Sequence, residues 1–236
     1  MNYRVRFDGV YLDEVTNVDI EDIRVSPIQL NPISQSRQGL WGSQFVRMDG
    51  GTRTVTITFA VLDDDLSNRL AKIRQINEWA KSDKEYNLTL PQLYSNAHLQ
   101  CVCTQKPEPS SRQWWESKLR IVFTCYDNPY WTSNSEITIP CGQEFSVGGN
   151  APPLMTITRQ LTAVSKNQTY SNGTQTMTFS EIPNGKLTID LNSQTAKVGS
   201  KTIMSNLSIT SDFISPQLGN QTITGNGFVN YRERWE

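Results

Sequence analysis

The sequence predicts an all-β chain with one helix. An N-terminal two-sheet β-sandwich or split barrel spans residues 1–132, and a C-terminal β-sandwich spans 133–236. Three observations lead there. From Thr52 the chain alternates almost perfectly, with Val55, Ile57, Phe59 and Val61 on one side and Thr54, Thr56, Thr58 and Ala60 on the other, the period of a half-buried strand. One stretch has helical spacing instead. Composition also shifts after Trp131: five of the six tryptophans and three of the four cysteines precede that point, and the remainder is rich in Thr, Ser and Asn. A chain of 236 residues is long enough for two domains, each burying its own core.

In chain order, Tyr3, Val5 and Phe7 alternate with Arg4 and Arg6, and Asp8-Gly9 offers a turn before Val10 to Leu12. Ser34 to Gly51 reads as a long loop rich in Gly, Ser and Gln. It carries Leu40, Trp41, Phe45 and Met48, more apolar surface than a solvated loop needs, and loops of this length are usually functional or disordered. Those four residues dock either on their own domain or on another chain, and the sequence leaves both open. Asp63-Asp64-Asp65 then precedes Leu66, Leu70, Ile73, Ile76 and Ala80, which fall on one stripe at 100° per residue. The acidic run suits a helix N-terminus, so a helix is expected from about Asp65 to about Lys81. Leu119, Ile121, Phe123 and Cys125 give a further strand one apolar face. In the second domain short strands are expected around Ile137–Ile139, Met155–Thr158, Met177–Phe179, Leu187–Leu191, Asn206–Ile209 and Phe228–Tyr231. Asn184-Gly185 reads as a hairpin turn and Gly148 to Pro153 as an extended one.

Several function classes are disfavoured. The formal net charge is −1 and the two signs balance in each half of the chain, so no basic face grips nucleic acid by its phosphates. The N-terminus holds no apolar signal run, which predicts folding in the cytoplasm with all four cysteines as thiols. The five Asn-x-Ser/Thr triplets, at Asn87, Asn167, Asn172, Asn206 and Asn220, then reflect composition alone. His98, Cys101 and Cys103 are close enough to consider a metal, yet on a strand His98 faces away from the two cysteines, and the spacing is not that of a structural zinc site. Cys101, Cys103 and Cys125 read better as small core residues. With a single His and no nucleophile elbow, no catalytic residue, cofactor or metal is expected.

Two aromatic features point outward. Trp79 lies off the apolar stripe, beside Asn68, Lys72 and Gln75, and needs cover from its own chain or a neighbour. Trp114-Trp115 follows a hairpin-loop sequence, Lys106 to Arg112, and at a strand start the two rings face opposite ways, one as core and one as an interface anchor. The candidate interaction residues are therefore Leu40, Trp41, Phe45, Met48, Trp79, Trp114 and Trp115.

The order of features in the first domain carries a resemblance. A short strand with Phe7-Asp8-Gly9 leads to a loop ending Asp49-Gly50-Gly51, a strand Arg53–Leu62 and a helix ending in Trp79. Leu88-Thr89-Leu90 follows, and then a strand that closes on Phe123-Thr-Cys-Tyr-Asp-Asn-Pro-Tyr-Trp131. This resembles the distal tail protein family of long-tailed phages and prophages of Gram-positive bacteria. The second half, from Gly148-Gly-Asn-Ala-Pro-Pro153 to Asn230-Tyr-Arg-Glu-Arg-Trp235, is similar to that family's galectin-like domain. The resemblance implies a non-enzymatic structural protein of the virion tail tip, assembled in the host cytoplasm. It implies a homohexameric ring made by the first domain, joining the tail tube protein to the tail-tip hub or tail-associated protein and supporting receptor-binding proteins. DNA would only pass through the lumen, and no membrane would be entered. A related hub from a prophage-derived contractile particle fits the same pattern. The competing class is a carbohydrate-binding module or accessory adhesin without catalysis, which would need exposed aromatics as a sugar platform. Between Ser133 and Asn230 only Phe145, Tyr170, Phe179, Phe213 and Phe228 are available.

Overall fold

In the computed structural model residues 3–36, 43–61, 63, 65–108 and 118–236 are described, with residues 30–36, 43–50 and 66 described by backbone alone. The chain divides into two compact units, Met1–Trp131 with Glu236, and Thr132–Trp235. The first holds β1 (Arg6–Phe7), β2 (Val10–Tyr11), α1 (Leu12–Val15), β3 (Val18–Val25), β4 (Gln29–Ser36), β5 (Ser43–Val61), α2 (Leu66–Trp79), β6 (Tyr86–Thr89), β7 (Ala97–Gln105) and β8 (Lys118–Cys125). β9 (Trp131–Ser133) spans the boundary.

In the first unit the strands pair antiparallel in the order β2-β1-β6-β7-β8-β5-β3. β7 is where the sheet divides. Leu99 to Cys101 pair with β6, whereas Val102 to Gln105 pair with β8 across a register shift. β5 is central, held by β3 on one side and by β8 on the other. Its alternation has the expected consequence: Val55, Ile57 and Phe59 are fully buried and Thr54, Thr56 and Thr58 only partly so. Leu119, Ile121, Phe123 and Cys125 of β8 are buried as well. Each such fully buried aliphatic or Phe side chain stabilises the unit by about 1.5–3 kcal/mol.

The helix forms where its spacing predicts. Asp65 is the N-cap, its Oδ1 accepting from the Ser67 backbone N–H at 2.9 Å. Asp63 accepts from the Asp65 N–H at 3.0 Å and pairs with Lys72 Nζ at 2.9 Å. Those contacts hold the Asp63 carboxyl below its ordinary pKa, the Asp65 N–H contributing most. Ile73, Ile76 and Ala80 are buried. Asp64 lies outside the described residues.

The stretch from Ser34 departs from its expectation as a loop. β4 and β5 run antiparallel from Gln29 opposite Thr52 to Ser36 opposite Ser43, with two register shifts. Among the described residues this end of β5 pairs with β4 alone, so the two form a two-stranded arm. The Gly/Ser/Gln composition hid it, because a two-stranded ribbon needs no buried face and therefore no apolar alternation. Pro32 fits there because β4 is an edge strand.

The second unit is a sandwich. It contains β10 (Ile137–Pro140), β11 (Glu144–Val147), β12 (Ala151–Leu161), β13 (Ser165–Ser171), β14 (Thr176–Ile182), β15 (Gly185–Asp190), β16 (Thr195–Val198), β17 (Lys201–Thr202), β18 (Gly219–Thr222) and β19 (Phe228–Trp235). One sheet has the order β10-β19-β12-β15-β16-β17. Facing it are the ribbons β11-β18 and β13-β14, with a bridge from Ser171 to Thr224. Met155, Ile157, Tyr170, Met177, Phe179, Leu187, Ile189 and Val229 fill the space between as one core.

Two local expectations fail here. Asn184-Gly185 does not close a hairpin. β14 pairs with β13 and β15 with β12 and β16, so the dipeptide carries the chain from one sheet to the other. Gly185 has φ of 128°, and a Cβ there would lie 2.9 Å from Val198 Cγ1, so glycine is needed for a close approach. Asn206–Ile209 is not a strand either. Met204–Asn206 forms a 3-10 turn, closed by Leu207 N–H donating to the Met204 carbonyl. Leu207 keeps a single bridge to Phe179 of β14, the Ser208 N–H donates to the Thr178 carbonyl at 2.8 Å, and the Thr178 N–H donates to Ser211 Oγ at 2.9 Å.

Candidate interaction surfaces

Trp79 shows how the first unit covers its own aromatics. It is 7% exposed, and its ring meets Phe7 at 5.6 Å and Phe123 at 6.0 Å, both edge-on. Its Nε1 donates to the Val10 carbonyl at 3.0 Å. Of the two covers weighed for it, the one present comes from its own unit: the segment around β1 and β2 folds over the helix end. A helical wheel sees only the helix, and the ring is buried by strands it does not include. Leu40, Trp41, Trp114 and Trp115 lie outside the described residues. Phe45 and Met48 sit on β5 within the two-stranded arm, opposite Ser34 and Pro32.

The thiols belong to the interior. Cys101 and Cys125 are fully buried and Cys103 nearly so, all on the face shared with Leu99. Burial, with the neighbouring Cys125 thiol, pushes the Cys101 thiol well above its ordinary pKa, and burial raises Cys103 and the half-buried Cys141 too. Such thiols are poor nucleophiles and poor ligands. His98 is itself buried, at 6% exposure, so the strand lies covered on both sides there.

Sequence reasoning missed Arg53. It stands on β5 opposite Cys125 and is 4% exposed, with Nε and Nη1 buried and without a hydrogen-bond partner. The signal was present: Arg53 is in phase with Val55, Ile57 and Phe59, a charge on the core face of the strand. Burial lowers its pKa, although a guanidinium stays charged in any protein environment. Beside it opens a cleft of about 390 Å³, walled by Val25, Pro27, Tyr94 and Trp131. The rings of Tyr94 and Trp131 pack at 4.6 Å, and Leu93 on the rim is 49% exposed.

The second unit offers little aromatic platform. Phe145, Tyr170 and Phe179 are buried, Phe213 packs against the core, and Phe228 is 49% exposed. Among the described residues no group of three or more His, Cys, Asp or Glu is placed to hold a metal ion, and no helix is long and apolar enough to cross a membrane.

No protein-family model and no curated protein matches the chain. Solved structures do. The Dit (gp 19.1) protein of phage SPP1, described as a paradigm of the hub adsorption apparatus in phages infecting Gram-positive bacteria, aligns with a TM-score of 0.77 at 15% identity, covering 99% of each chain. Chains of the phage p2 baseplate in its activated conformation align with TM-scores of 0.46. The strontium form has 10% identity over 99% of this chain and 97% of that one, and the calcium form 9% over 100% and 99%. The first alignment shows a fold shared end to end.

Proposed function

We propose that this chain is a distal tail protein, a non-enzymatic structural component of a phage or prophage tail tip that forms a ring. The reading is carried by the end-to-end likeness to a hub protein of an adsorption apparatus at a TM-score of 0.77. The order of sequence features supports it independently, from Phe7-Asp8-Gly9 through the helix ending in Trp79 to Trp131. In this reading the first unit makes a homohexameric ring. It joins the tail tube protein to the tail-tip hub, and receptor-binding proteins attach outside it. The balanced charge of both halves suits a lumen through which DNA passes without adhering. The galectin-like second domain carries no implication of sugar binding by its fold alone.

The arm of β4 and β5 is the proposed contact between neighbours. Among the described residues no third strand pairs beside its two, and Phe45 and Met48 lie on it. Native mass spectrometry of the purified chain tests the reading. A species of six times the 26.8 kDa chain is expected, visible as a ring in negative-stain images. A folded monomer at high micromolar concentration, across low and moderate salt, would refute it.

A further inference from the structure

We infer that Arg53 receives a carboxylate from a second copy of this chain, seated in the cleft walled by Tyr94 and Trp131. The inference rests on the ring reading above. A guanidinium carries five N–H donors in a rigid fork that matches a carboxylate. Here two of its nitrogens, Nε and Nη1, are buried with no acceptor. A buried cation with two unmet donors is costly, and proteins seldom keep one unless something meets them. Glu236 also borders the cleft, but its field is a smaller influence on Arg53 than burial, which sets the net direction of the shift.

The cleft is built to admit a side chain. The Ser26 N–H donates to the Thr54 carbonyl at 2.8 Å and the Thr54 N–H to Ser26 Oγ at 2.9 Å, which fixes the segment after β3 against β5. The Tyr94 and Trp131 rings, tilted at 33° with centroids 4.6 Å apart, stiffen another wall. The apolar rim, with Leu93 half exposed, would exclude water from a seated ion pair and strengthen it. The chain can also supply the other half. Among the described residues of the first unit, Asp19, Glu78 and Glu108 are exposed carboxylates with no hydrogen-bond or ion-pair partner. A neighbour presenting one such group in the cleft would draw the guanidinium fork outward to meet it, and Arg53 lies on the strand that continues into the arm.

Arg53→Met tests this, because methionine fills the site without charge. The full-length variant is expected to lose the ring, with an apparent dissociation constant at least about tenfold higher, while its melting temperature holds or rises. Arg53→Lys keeps the charge without the fork and should weaken the ring less. Glu236→Gln should leave the ring intact. A ring undiminished in Arg53→Met overturns the inference. So does a ring lost together with a large drop in melting temperature, which would make Arg53 a structural residue of the monomer. Loss of the ring in Glu236→Gln overturns it too, since the carboxylate would then be the chain's own. If the unaltered chain is itself monomeric, the ring reading fails and the inference falls with it. An intact ring in both the unaltered chain and Arg53→Met sinks the inference alone.

Discussion

Replacing Trp79 by alanine separates a core residue from an interface anchor. The ring is 7% exposed and stacks edge-on against Phe7 and Phe123, and its Nε1 satisfies the Val10 carbonyl. Truncating a buried Trp to Ala costs about 3–5 kcal/mol, the lost transfer energy plus the cavity it leaves. The two aromatic contacts account for about 0.5–1.5 kcal/mol each within that loss. For a unit of this size the change corresponds to a fall of roughly 10 °C or more in melting temperature. Trp79→Phe isolates the polar contribution: it keeps most of the ring but leaves the Val10 carbonyl unpaired, at about 1–3 kcal/mol. Calorimetry of the full chain should therefore show the first unit's transition shifted in the order Ala, Phe, unaltered. An unshifted transition in Trp79→Ala, with the assembly dispersed, would refute the reasoning and return Trp79 to the interface.

Four further outcomes are expected. Trp41→Ala with Phe45→Ala is expected to abolish assembly while leaving the melting temperature unchanged; a ring that persists with lowered melting would mean that the segment covers its own domain. All four cysteines should titrate with a thiol reagent after denaturation, Cys101 being the slowest to react in the native protein, and elemental analysis should find no stoichiometric zinc. Burial raises the Tyr170 pKa, so its contribution is full below the ordinary tyrosine range and is lost as pH rises through the folded value; urea melts between pH 8 and 11 should show a second-unit stability loss that Tyr170→Phe reduces. Asp63 shifts the other way, so its contribution is present above the ordinary carboxylate range and fades as pH falls through the lowered folded value, a slope that Asp63→Asn should flatten in acid melts.

What the sequence made legible was whatever depends on one element at a time. The faces of β5 and β8 follow from period-two alternation, and α2 from its stripe and its Asp65 cap. The features that escaped depend on what another element does. Trp79 looked exposed on the wheel because the strands that cover it are distant in sequence. Asn184-Gly185 looked like a hairpin because local turn chemistry does not reveal which sheet the next strand joins. The arm looked like a loop because Ser34 to Gly51 is rich in Gly, Ser and Gln and carries no sustained apolar alternation, although its strands pair with each other.

Arg53 belongs to neither group. Its phase was readable, and phase alone would assign it to the core, where an arginine is the least expected residue. A folding criterion would replace it by a residue shaped to the site, since the fold gains nothing visible from a cation with two unsatisfied nitrogens. Its presence on a core face otherwise made of Val55, Ile57, Phe59 and Val61 is the reason to expect that its donors are met in the working assembly. Local and global consistency are expected to break where function requires it. The same logic separates Arg53 from Cys101 and Cys125, which are equally buried but carry only weak S–H donors and need no partner to explain them.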